Sequence, residues 1–196
     1  MSKARDTRAY IIHQAAELFN QRGYAGASIA DIMAATGLKK GGIYNHFQSK
    51  DELAIAAFHY AVQLMQQRYA VALRGQRSAQ VRLQVIIDIF CEAAADPPIA
   101  GGCPILNTAI DSDHAHPALR QCAQQAMDRW QQLLTKILRW GIEHGEVQPS
   151  VDPATSASLI VMTLEGAVMM SQLYGDRVYL ERAQQHLLNH VQTLLL

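Results

Sequence analysis

Cysteine is scarce in this chain of 196 residues: Cys91, Cys103 and Cys122 are an odd number, and none falls in a CxxC pair. That excludes a disulfide framework or a cysteine-rich zinc site and favours reduced thiols. Charged residues are sparse as well, 17% against about 25% in an average protein. No segment alternates apolar and polar residues for the length of a strand, which argues against a sheet. No apolar run approaches the ~18 residues of a membrane span, and the N-terminus lacks the h-region of a signal peptide, so the chain reads as cytoplasmic. GxSxG, HExxH, Walker A and GxGxxG are all missing, so neither an enzyme nor a cofactor is implied. A hydrolase pairing Cys103 with a histidine is the residual enzymatic alternative.

What is present is apolar material, 49% of the residues, enough for one domain or two small ones sharing a core. The formal charge is zero overall but uneven. Residues 1–50 hold seven basic groups (Lys3, Arg5, Arg8, Arg22, Lys39, Lys40, Lys50) and three acidic ones (Asp6, Glu17, Asp31), a net +4, and the remainder carries −4. A polyanion-facing N-terminal segment joined to a module without such a partner fits this split.

Apolar residues recur three and four apart nearly throughout, so the expected fold is all-α with about nine helices. The first runs from about Thr7 to Gly23, where glycine stops it. A second starts at Ser28, with Asp31 completing a capping-box variant, and ends at Gly37. A third spans Lys39/Lys40 to Phe47, and a fourth runs from Lys50 to about Arg74. Five more follow: Gln80–Ala95; a short one from Cys103-Pro104; Pro117 to about His144; Pro153 to about Tyr174; and Arg177–Leu195. The reading divides the chain into residues 1–50, a shared connector helix 51–74, and a second domain 75–196.

The informative unit is SIADIMAATGLKKGGIYNHFQSKDEL, residues 28–53. Two short helices around a glycine turn make a helix-turn-helix, whose second helix enters the DNA major groove. If Ile43 and Phe47, four apart, point inward, Asn45 lies nearly opposite, with Gly41 and Gly42 also outward and Tyr44 and His46 flanking. Asn45 is then the base-edge candidate, since asparagine pairs with adenine N6/N7. Tyr44, His46, Lys40 and Lys50 suit phosphates, and Ser28 sits at a phosphate-favouring helix N-terminus. Adjacent glycines are locally unfavourable in a helix; either they admit DNA close to the backbone or they are a frayed helix start. A helical hairpin that docks only proteins, an adaptor, is the alternative to DNA binding.

On these residues the chain resembles the tetracycline-repressor (TetR) family of transcriptional regulators. The match spans residues 5–60: Ala15-Ala16-Glu17-Leu18-Phe19, Gly23-Tyr24, Ser28-Ile29-Ala30-Asp31-Ile32, Thr36-Gly37-Leu38, Lys40 through Phe47, and Ser49-Lys50-Asp51-Glu52-Leu53. The resemblance implies a nine-helix homodimer joined through its last two helices, an inducer pocket in the second domain, and a double-stranded, palindromic DNA operator. Where the family usually has Ser and Thr this chain has Lys39 and Gly42, which replaces a hydroxyl contact with a phosphate-reaching lysine.

The second domain is less explicit. Phe90, Met127, Trp130, Leu134, Met162, Met169 and Tyr174 are candidates for the wall of a hydrophobic effector site, though each taken singly reads first as plain core; Glu165 either orients the ligand or faces solvent or the dimer partner. Cys103, at a helix start, is a candidate redox- or electrophile-sensing thiol, a role the resemblance also gives to a subset of the family, or else a small packed residue. Cys91 and Cys122 read as packing. Asp111-Ser112-Asp113-His114-Ala115-His116 contains metal-ligand residue types without ligand spacing and reads as a solvated turn, so no metal is expected. The implied protein is a repressor released when a small molecule shifts its population away from the state whose recognition helices sit about 34–36 Å apart.

Overall fold

A computed structural model describes residues 3–112 and 116–196. Its helices, in chain order, are α1 (Lys3–Gly26), α2 (Ile29–Thr36), α3 (Lys40–Tyr44), α4 (Lys50–Ala72), α5 (Ala79–Ala95), α6 (Pro104–Asp111), α7 (Pro117–Glu143), α8 (Pro153–Tyr174) and α9 (Val178–Thr193). The all-α expectation holds among the described residues; one isolated antiparallel bridge joins Val147 to Leu195. The first helix breaks at Gly23 as expected, where the backbone leaves helical geometry at φ 71° and ψ 171°, and a further helical stretch carries α1 on to Gly26. A β-carbon at Gly23 would meet the Asp111 carboxylate at 2.5 Å, so both the backbone angle and the space call for glycine.

The chain forms two units. The first comprises the chain up to Leu64 together with Pro98–Ala126; the second comprises Met65–Pro97 and Met127–Leu196. Thus α4 and α7 each contribute to both. In the first unit Ile11, Ile12 and Ala15 of α1, Ile32 of α2, Ile43 of α3 and Leu53, Ala57 and Ala61 of α4 share one core with Phe47 and Ile99. Phe58 and Val62 meet Leu119, Ala123 and Ala126 of α7 in a second cluster. Burying each large side chain contributes roughly 1.5–3 kcal/mol.

Polar side chains fasten α6 to α1. Asn20 Nδ2 donates to the carbonyls of Ala100 (3.0 Å) and Gly102 (3.1 Å). Asn107 Nδ2 donates to the Gly101 carbonyl at 2.6 Å and the Asn20 carbonyl at 3.1 Å. One turn on, Asp111 Oδ2 accepts the Tyr24 N–H at 2.6 Å. The Gly101-Gly102-Cys103 run is therefore a clasp around the end of α1.

In the second unit α5 turns Leu83, Ile86, Ile87 and Phe90 inward; α7 supplies Trp130, Leu134, Ile137 and Leu138; α8 supplies Ile160, Val161, Leu164 and Val168; and α9 supplies Leu180, Leu187 and Val191. Asp152 caps α8 by accepting the N–H groups of Ala154 and Thr155. Glu146 Oε2 accepts from Ser78 Oγ (3.0 Å) and the Ala79 N–H (2.6 Å), holding the start of α5.

One expectation about hydropathy is corrected: α8 has an 18-residue window of mean hydropathy 1.3, long and apolar enough to cross a membrane by length and composition, with 44% of that window buried in the fold. Its Ser, Thr and Glu residues interrupt a continuous apolar run but do not outweigh the Ile, Val, Leu and Met between them.

Gly141 occupies a space without room for a side chain: a β-carbon would meet Val147 Cγ2 at 2.6 Å and Ala79 Cβ at 2.7 Å. Overpacking of that kind costs about 1–3 kcal/mol. Gly141→Ala is therefore expected to lower unfolding stability by that amount, read as a reduced denaturation midpoint, with no altered contact in the first unit.

Candidate nucleic-acid interface

The geometry of residues 28–53 follows from local caps. Ser28, in extended backbone, caps α2: its Oγ accepts the Asp31 N–H at 3.1 Å, and Asp31 Oδ2 accepts the Ser28 N–H at 2.8 Å. These bonds to Ser28, foremost its hydroxyl, hold the Asp31 carboxyl below the usual range. The Ser28 hydroxyl is thus already engaged within the subunit, although the residue is exposed. Gly37 ends α2 in the left-handed conformation, φ 70°, its N–H bonded to the Met33 carbonyl.

α3 is shorter than expected. It ends at Tyr44 after five residues, not at Phe47. The segment still continues as turns, with the Asn45 N–H bonded to Gly41, and the His46 and Phe47 N–H groups to Ile43. Ile43 is 1% and Phe47 2% exposed, whereas Tyr44 is 40% exposed. Lys39, Lys40, Gly41 and Asn45 are exposed, and Gly42 and His46 half-buried. The Lys40 ammonium lies 5.8 Å from the Tyr44 ring centroid. Nothing lies within 4 Å of a β-carbon built at Gly41, and at Gly42 the nearest atom, Leu38 Cβ, is at an ordinary 3.5 Å. Packing within the subunit therefore does not require the glycine pair.

Lys50 is placed differently from its expected role. Its Nζ donates to the Tyr24 carbonyl at 2.5 Å and stands 4.1 Å from the Tyr24 ring centroid. Tyr24 and its partners escaped sequence reasoning, because only tertiary folding brings them together. The Tyr24 hydroxyl donates to Asp51, the Tyr24 ring meets the His116 ring edge-on at 4.6 Å, and His116 Nε2 lies 3.5 Å from the Asp51 carboxylate. Burial first, then the hydrogen bond and charge of Asp51, push Tyr24 up to about 12. The Tyr24 hydroxyl is in turn the largest cause holding Asp51 below the usual carboxylate range.

Residues 111–116, read as a turn without a metal, are engaged in the fold where they are described: Asp111 accepts from the Tyr24 backbone, and His116 Nδ1 accepts the Leu119 N–H at 3.1 Å, capping α7. Asp113 and His114 lie outside the described residues. Among those described, no three His, Cys, Asp or Glu side chains could hold a metal ion.

The effector candidates separate. Phe90, Trp130 and Leu134 are buried, Met127 is half-buried, and Glu165 is 6% exposed. Phe90 and Trp130 stack with centroids 5.0 Å apart, and the buried Trp130 Nε1–H has no hydrogen-bond partner among the described residues. Met162, Met169 and Tyr174 do not line a wall. They are 60%, 49% and 61% exposed, with Leu159 and Leu173 beside them, because helical spacing turns them away from Ile160, Val161, Leu164 and Val168. Cys103 belongs to the first unit and takes the N-cap position of α6, half-buried. Burial, reinforced by Asp88 and Glu92, pushes the Cys91 thiol up to about 11, which disfavours the nucleophilic thiolate.

Residues 11–57 match the family described as bacterial regulatory proteins, tetR family, and residues 79–187, more than half the chain, match the tetracyclin repressor-like C-terminal domain. The chain belongs to the TetR family of transcriptional regulators. A crystal structure of a TetR transcriptional regulator from Chloroflexus aurantiacus is 45% identical, covering 100% of this chain and 98% of its own, with a TM-score of 0.95. The HTH-type transcriptional repressor DhaR of Mycobacterium sp. (strain GP1) is 22% identical over 175 residues, 89% of this chain and 87% of that protein. A regulator from Saccharomonospora viridis, crystallised with choline, shares the fold with a TM-score of 0.83 at 23% identity over 98% of this chain and 99% of its own. As a TetR-family protein this chain is a helix-turn-helix, DNA-binding transcriptional regulator. Members of the family bind operators, dimerise and bind small-molecule effectors.

The Tyr24–Asp51 pair carries a pH signature. A folded tyrosine held near 12 keeps its proton where the unfolded one, with an ordinary value near 10, loses it. Its stabilisation is whole below about pH 10 and disappears as pH rises to about 12. Asp51, lowered, stabilises above the usual carboxylate value and ceases to as pH falls through its folded value. Tyr24→Phe is expected to flatten the alkaline loss and reduce the acid one in urea midpoints measured across both ranges.

Proposed function

We propose that this regulator represses transcription in the cytoplasm as a homodimer on a palindromic operator and is released by an apolar effector held in the second unit. The observation that carries the DNA-reading part is the two-sidedness of residues 40–47: Ile43 and Phe47 are sealed in the core while Tyr44 and Asn45 face outward. Asn45 reads a base edge, with its amide suited to adenine. Lys39, Lys40, Tyr44 and His46 bind phosphates, and Ser28 adds the N-terminus of α2. Lys50 acts through Tyr24, fastening the start of α4 to the end of α1. Gly41 and Gly42 give the sugar-phosphate backbone access to bare main chain.

The outward strip Leu159, Met162, Met169, Leu173 and Tyr174 of α8 is an apolar face of the kind that marks a protein contact. It supports dimerisation through α8 and α9. The functional division proposed is residues 1–50 for reading, 51–74 as connector and 75–196 for effector and dimer, with residues 98–126 of that last stretch packed into the first unit. The effector site is built on Phe90, Met127, Trp130, Leu134 and Glu165. Trp130 Nε1–H, buried without a partner among the described residues, favours a ligand that stacks on the aromatic pair and offers a hydrogen-bond acceptor, since an orphaned donor costs about 1–3 kcal/mol. Thiol sensing through Cys103 is the less favoured reading, because the clasp that holds residues 100–102 also fixes the approach to that cysteine.

Binding to duplexes from the upstream region of its own gene, weakening steeply with salt, tests the function; salt-insensitive or absent binding rejects it. Asn45→Ala is expected to relax base preference at one position per half-site, at about 1–3 kcal/mol of discrimination. Gly41→Ala is expected to raise the melting temperature, by up to about 1 kcal/mol of stability, while weakening operator affinity. Trp130→Phe is expected to leave DNA affinity intact and abolish release by the compound that frees the wild type, monitored by fluorescence anisotropy.

A further inference from the structure

The first turns of α1 carry cations where a helix disfavours them. Arg5 and Arg8, three apart and so on one face, are both exposed, and Asp6 is the acid of the first turn. The N-terminal end of a helix dipole is positive and repels further positive charge. Neither arginine has a carboxylate within ion-pair distance among the described residues.

Arg8 is nevertheless oriented. Its guanidinium carbon lies 4.8 Å from the centroid of the Phe47 ring, within range of a cation held over an aromatic face. Phe47 closes the segment that begins with α3, three residues beyond the exposed Tyr44. A guanidinium held over a ring by its charge keeps N–H donors for other partners, in the fork arrangement that matches phosphate oxygens. Lys50, the cation that spacing places next to this segment, is committed to the Tyr24 carbonyl.

We infer that Arg8 is a phosphate-gripping positioning residue: Phe47 presents its guanidinium to the DNA backbone beside the base that Asn45 reads. The inference rests on the DNA-reading function proposed above. A backbone contact carries no sequence information, so its loss weakens all duplexes alike.

The experiment is a salt series of anisotropy titrations with the full chain, on the operator duplex and on a scrambled duplex, for the wild type, Arg8→Gln and Arg8→Lys. Arg8→Gln is expected to reduce the slope of log affinity against log salt by about 0.9 per half-site, or about 1.8 for a dimer. Both duplexes weaken by the same factor. Arg8→Lys keeps the slope, because it keeps the charge. Thermal unfolding, recorded alongside, separates a DNA contact from a mere cover on Phe47. A wild-type slope in Arg8→Gln overturns the inference, whether or not its unfolding temperature falls. So does a loss confined to one base position. A wild type that binds no duplex in a salt-dependent way overturns both this inference and the function beneath it.

Discussion

The burial of Ile43 and Phe47 is the constraint on which the reading surface depends. A five-residue helix has almost no stability of its own, and two adjacent glycines lower it further. What fixes its rotation about its axis is the pair of side chains driven into the core shared by α1, α2 and α4. Once they are seated, the chain has no freedom over which residues face outward: Tyr44 and Asn45 must, and the exposed lysines flank them. The hydrophobic effect, which has no directional preference, thus sets the direction of a polar surface.

Polar bonds then set how that surface is supported. Asn20, Asn107 and Asp111 bind backbone groups rather than one another's side chains alone, so each fixes a chain path and not just a pair of residues. Tyr24 concentrates several of these roles: its N–H goes to Asp111, its carbonyl to Lys50, its hydroxyl to Asp51 and its ring to His116. Elements 26 and more residues apart in sequence converge on one residue. Such networks are costly when only partly satisfied, which makes this junction more specific than apolar contact alone could make it.

Most of the architecture was legible in the sequence. Caps are local, and Ser28, Gly37 and Pro153 begin or end helices where the sequence places them. The bounds of α8 agree to the residue because Pro153 and Gly175 punctuate both ends. Legibility failed where tertiary partners decide. Beyond the break at Gly23 the chain turns helical again to Gly26, and there Asp111, far along the chain, accepts the Tyr24 N–H. Lys50 gives a donor to a carbonyl at the end of α1 that its place in the sequence does not reveal. Met162, Met169 and Tyr174 suit a cavity wall by composition, but a helix with apolar residues on most sides does not announce which side is outward. The outward face of residues 40–47 was readable for the opposite reason, since two bulky apolar side chains stand among glycines and polar residues.

The first unit is assembled from two stretches of chain that are not adjacent in sequence. Ile99 completes the core beneath α3, and Leu119, Ala123 and Ala126 cover Phe58 and Val62 of α4. A graft that moved the reading head onto another sensor by joining chains after residue 64 would leave those apolar surfaces open to water and strip Asn20 of its clasp. Modular exchange in this architecture requires a second, internal splice that carries residues 98–126 along, so the apparent linear order of reader then sensor conceals an interleaved construction.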